Sequence, residues 1–93
     1  MFVGILNVEL FIPDSNSLKS KRYIIKSMKD RLKNRFNISI AEIDHSDKWQ
    51  RTSLGIAFIS NEKTHVESVL GKVMDYIYNN YSVEVIQSTI TIV

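Results

Sequence analysis

Between positions 42 and 47 the chain sets Glu42, Asp44, His45 and Asp47 close together, the residue types that hold a divalent cation through oxygen and nitrogen or trade a proton as an acid–base pair. Their spacing matches no metal motif. Asp and Ser are common in turns because their side chains bond the local backbone, so a structural hairpin loop is the stronger expectation. No serine is flanked by the glycines of a nucleophile elbow, and His65 has no partner near it in sequence, which makes it a surface histidine. Cysteine is absent, which excludes disulfides, a thiolate nucleophile and Cys-held zinc or iron–sulfur groups. The expectation is a protein that is not an enzyme, with no cofactor, no metal site and no recognisable small-molecule substrate.

A second kind of chemistry is electrostatic. At about 100° per residue, Lys19, Arg22, Lys26, Lys29 and Lys33 fall on one stripe, so five cations share a helix flank. A charge run of this kind is usually a solvated face, yet it also suits a phosphate backbone, followed by point contacts whose strength drops with salt. These five are the candidate RNA-binding residues. Trp49 is the third feature, because a large amphipathic ring in a polar loop either folds over the edge of the core or anchors a partner or a second copy. Gln50 and Arg51 beside it supply directional hydrogen bonds in either case.

The elements that must position these groups are legible from periodicity. Phe2 to Ile12 alternates Leu6, Val8 and Leu10 with Asn7 and Glu9, a strand with one buried face, and Pro13 ends it. Leu18 to about Arg35 is a helix with Leu18, Ile25, Met28, Leu32 and Phe36 on its apolar stripe, opened by the capping oxygens of Asp14 to Ser17. Ile38 to Ile43 reads as a strand whose parity shifts between Ile40 and Ile43, which predicts a bulge or a two-faced apolar patch on an edge that a second subunit can meet. Arg51 to Ser60 is the next strand, hairpin-linked to it. Glu62 to Asn79 is a second helix, with Ser60 or Asn61 as its cap, and Val83 to Ile92 the last strand.

A β-α-β-β-α-β order with two right-handed crossovers predicts an α+β fold, the ferredoxin-like split βαβ. It has a four-stranded antiparallel sheet in the order 4-1-3-2, with both helices on one face and all of residues 1–93 in a single domain. Val3, Ile5, Asn7, Glu9, Ser53, Gly55, Ala57, Gln87, Thr89 and Thr91 then line an open face. That face is either solvated or stacked on a second copy, the basis for expecting a homodimer and for a self-associating regulatory domain as the alternative to RNA binding. It lacks the central aromatics on which RNA-binding sheets stack bases, so any RNA contact falls to a helix or a loop. No signal-peptide pattern and no apolar run of about 20 residues is present, and the expected location is the cytoplasm, with no membrane contact.

Ser17-Leu18-Lys19-Ser20-Lys21-Arg22, Arg35 to Ile43, Asp47-Lys48-Trp49-Gln50-Arg51 and Leu54-Gly55 together resemble the YlxP-like family of small bacterial proteins of unknown function. The matching strings lie in order over the first 60 residues. Thr52, where a small alanine is typical, is the visible departure. The resemblance implies a ferredoxin-like fold and, because such proteins are often encoded beside translation-initiation and ribosome-maturation genes, a connection to RNA or to a ribosomal particle. It assigns no catalytic residue. The matched strings place the start of the first helix and the loop around Trp49 near one end of the domain, where they form one polar surface or, as the structural alternative, pair Arg22 or Arg51 with Glu42.

Overall fold

The computed structural model describes all residues from Met1 to Val93. The elements are β1 (Phe2–Phe11), α1 (Leu18–Arg35), β2 (Ser39–Asp44), β3 (Arg51–Ser60), α2 (Lys63–Asn80) and β4 (Glu84–Ile92). All pairings are antiparallel and the sheet order is β2-β3-β1-β4, the predicted split βαβ. Leu6, Val8 and Leu10 of β1 pair with Ile56, Leu54 and Thr52 of β3 on the helix side, where residues directly opposite share a face. They meet Ile25, Met28 and Leu32 of α1 and Val66, Leu70, Val73 and Ile77 of α2 in one core.

Gly4 lets α2 sit directly on β1. A Cβ added there would stand 2.2 Å from Val66 Cγ1 and 2.7 Å from Leu70 Cδ1, so no larger residue fits without lifting the helix. The predicted bulge is present: the β2–β3 register shifts between Glu42 and Asp44, and the extra residue, Ile43, lies over Gly55 on the open face. A second shift, between Glu9 and Leu10, inserts Ile86 into β4.

Ser17 caps α1 as its spacing suggests, its Oγ accepting the Ser20 N–H at 3.0 Å. The cap of α2 differs from expectation. Glu62 takes the N-cap position without a side-chain bond, and Ser60 Oγ instead accepts the Glu62 N–H and lies 3.2 Å from His65 Nδ1. His65 thus has a partner after all, and its ring stands edge-on to Phe58 at 5.3 Å. No helix is long and apolar enough to cross a membrane.

Candidate nucleic-acid interface

Helix α1 carries eight of the chain's twelve Lys and Arg residues and only one of its ten carboxylates, Asp30. With a net charge of +2 for the whole chain, the remainder of the molecule is therefore acidic, and the two signs are segregated by element. Arg22, Lys26, Lys29 and Lys33 converge on one shallow recess of about 450 Å³ together with Asp30 and Glu42, so four of the five predicted cations share a surface. Lys19 lies exposed a turn earlier, outside the recess. Lys26 pairs with Asp30 at 2.9 Å, whereas Arg22, Lys29 and Lys33 form no ion pair. The hydrogen bond from Lys26 holds the Asp30 carboxyl below its ordinary range, and the charges of Lys26, Lys33 and Lys29 push it the same way. The same bond holds the Lys26 ammonium above its ordinary value. Arg31 and Arg35 point to the other flank, over the rings of Tyr81 and Tyr76 at 6.0 and 5.2 Å.

The eighth cation was hidden in the sequence. Lys21 is 1% exposed and donates from Nζ to Glu42 Oε2 at 2.9 Å and to the His45 carbonyl, and Glu42 Oε2 also accepts from Thr52 Oγ1 at 2.6 Å. Glu42 therefore pairs with Lys21 and not, as the structural alternative had it, with Arg22 or Arg51; Arg51 is bound to Glu9 across the open face. A periodicity signal existed, because Leu18, Lys21, Ile25, Met28 and Leu32 follow one helical stripe and position 21 points inward. Thr52, the departure from the family strings, adds a hydrogen bond to this buried network. Thr52→Ala is expected to lower stability by about 1 kcal/mol and the melting temperature by about 4–8 °C, checked by thermal unfolding.

The loop residues Glu42, Asp44, His45 and Asp47 do not converge. The register turns Glu42 toward the helices and Asp44 toward the open face, and no group of three or more His, Asp or Glu side chains is arranged to hold a metal ion. His45 has φ of 61°, the one residue in the left-handed region, with its N–H donating to Asp44 Oδ1 at 2.7 Å and its carbonyl held by Lys21. His45→Gly is expected to leave stability unchanged or raise it by about 1 kcal/mol, and His45→Val to lower it by more than about 1 kcal/mol, read from urea midpoints. On the open face His45 joins Asn7, Glu9, Asp44, Ser53 and Gln87 around a polar recess of about 300 Å³, a grouping across all four strands that residue spacing does not reveal.

Trp49 is 58% exposed, so it does not cover the core. Its neighbours work inside the fold: Gln50 Nε2 donates to the Pro13 carbonyl at 3.1 Å, and the Gln50 carbonyl accepts the Ile12 N–H at 2.7 Å. Those bonds and the Lys21–His45 contact bring the Trp49 loop to the α1 N-terminus, as the matched strings suggested.

The fold and this surface define a ferredoxin-like α+β domain with its positive charge gathered on one helix. The family described as a protein of unknown function, DUF503, matches residues 3–90, and the chain belongs to it. It is 43% identical over 75 residues to the uncharacterized protein YlxP of Bacillus subtilis (strain 168), covering 81% of this chain and 82% of that one. Among solved structures it is similar to the de novo designed ferredoxin-fold protein LFR1 1, with a TM-score of 0.59 and 15% identity over all of this chain and 84% of that one, a likeness of fold alone.

Proposed function

We propose that this protein is a non-enzymatic accessory factor that binds structured RNA, free or within a ribosomal particle, through the outer flank of α1 with Trp49 at one end of the track. The observation that carries the reading is the concentration of cations on α1 against an acidic remainder, with Arg22, Lys29 and Lys33 free of ion pairs. From Lys19 to Lys33 the stripe runs about 21 Å along the helix, with a cation every 4.5–6 Å or so, a spacing suited to successive phosphates. Lys19 and Arg22 sit in the first turns, where the helix dipole opposes positive charge, so stability alone does not favour them there. Trp49, exposed near the same end, offers a face on which an unpaired base stacks.

The test is fluorescence anisotropy with a labelled hairpin RNA at increasing salt. A log–log slope of about −3 to −4 is expected from four or five phosphate contacts, together with quenching of the single tryptophan. Absence of binding at 50 mM salt, or salt-independent affinity, refutes the reading.

A further inference from the structure

β4 is an unguarded edge. Beyond Glu84 at its start, β4 contains no charge and no proline, the residues that normally keep a sheet edge from pairing, and it is nine residues long against six for β2 at the opposite edge. Its bulge at Ile86 lies toward one end and leaves the rest of the strand regular. Ile90, opposite Leu6, projects to the helix side yet remains 46% exposed, because α2 covers β1 and β3 more fully than β4, and the bulge residue Ile86 is 48% exposed.

The backbone has a defined outward set. Val3 and Val93 exchange both of their hydrogen bonds, at 2.8 and 2.9 Å, so alternation along β4 turns the N–H and C=O groups of Ile92, Ile90 and Ser88 away from β1. The sequence around Ser88 is close to self-complementary for an antiparallel partner. With Ser88 opposite Ser88, Gln87 meets Thr89 twice on the open side, and Ile90 of each copy falls opposite the bulge residue Ile86 of the other. Outward-facing groups then fall opposite outward-facing groups.

We infer that the occupant of this edge is a second copy of the chain, joined β4 to β4 about a twofold axis through Ser88 into an eight-stranded sheet. A strand of nine residues is about 30 Å long, and with side chains on both faces its edge presents about 300–400 Å². Burial of Ile86, Ile90 and the adjacent flank of α2, where Tyr78 is exposed, brings the total for two copies to about 1,000 Å², the lower limit for a specific interface. The expected dimer is weak, with dissociation in the micromolar range. An axis normal to the sheet keeps all helices in one layer, so the dimer carries two copies of α1 on one side, each at an outer end. The inference stands without the RNA reading, and its test contains no RNA.

Sedimentation velocity of the full chain from about 1 to 500 µM is expected to show a monomer–dimer equilibrium. Ser88→Pro removes an outward donor without touching the β1 ladder, and Ile90→Lys installs the missing edge charge. Both are expected to stay monomeric with an unchanged circular-dichroism spectrum. Ser88→Cys is expected to form a disulfide-linked dimer on mild oxidation, since directly opposed residues bring their Cα atoms to about 5.5 Å. Ile5→Cys, at the centre of the open face, is expected to stay monomeric under the same oxidation. A wild type that stays monomeric throughout, a dimer untouched by both edge variants, or cross-linking through Ile5→Cys in place of Ser88→Cys overturns the proposal.

Discussion

Glu42→Gln is expected to cost about 3–5 kcal/mol of folding stability, more than Lys21→Met at about 1–3 kcal/mol, although the two substitutions break the same ion pair. The asymmetry comes from where water reaches. Lys21 is 1% exposed, so neutralising its partner strands an ammonium group with the His45 carbonyl as its strongest remaining contact. Glu42 retains 20% exposure and the Thr52 hydroxyl, so the carboxylate left by Lys21→Met keeps part of its solvation. Methionine also fills the apolar stem space between Leu18 and Ile25 on the core-facing stripe. Urea unfolding measures both, and equal midpoints, or Lys21→Met as the weaker protein, would show that burial of the ammonium is not what governs this site. For a domain whose whole stability is about 5–15 kcal/mol, the glutamine variant stands near the limit of folding.

Neutralising Arg22, Lys29 and Lys33 together is expected to weaken RNA binding about 100-fold at 100 mM salt and to flatten the salt slope by two to three, with the melting temperature little changed. These three are the informative choice because none holds an acidic neighbour in the fold, whereas removing Lys26 also releases Asp30. Each phosphate contact contributes roughly fivefold at this salt through counterion release, so three together give about 100-fold. A control variant that neutralises Arg31 and Arg35, both seated on tyrosine rings of the opposite flank, should change affinity by less than threefold or so. Equal losses from both variants would mean that net charge, and not the outer flank of α1, governs binding.

The architecture was readable because each element repeats its burial rule many times. β1 alternates along its length and β3 from Leu54 to Phe58, and three buried apolar residues on α1 and four on α2 keep the helical spacing, so single exceptions could not hide the period. The bulge in β2 was readable for the same reason, as a break in parity between Ile40 and Ile43. Lys21 was not, because a lysine on a core stripe looks like surface charge until a carboxylate from another strand arrives opposite it. The polar recess on the open face is likewise a product of register: Asn7, Ser53 and Gln87 are far apart in sequence and adjoin only once β1, β3 and β4 are aligned. Glu62 replaced Ser60 or Asn61 as the cap of α2 by a shift of one or two residues, within the range over which local propensity is nearly indifferent.

Segregated charge has a practical consequence at the bench. A modest total of +2 would ordinarily predict weak retention on any ion exchanger at neutral pH. A molecule with a strongly cationic helix and a strongly anionic remainder instead presents a different pole to each resin, and should be held by sulfonate and by quaternary-amine columns alike.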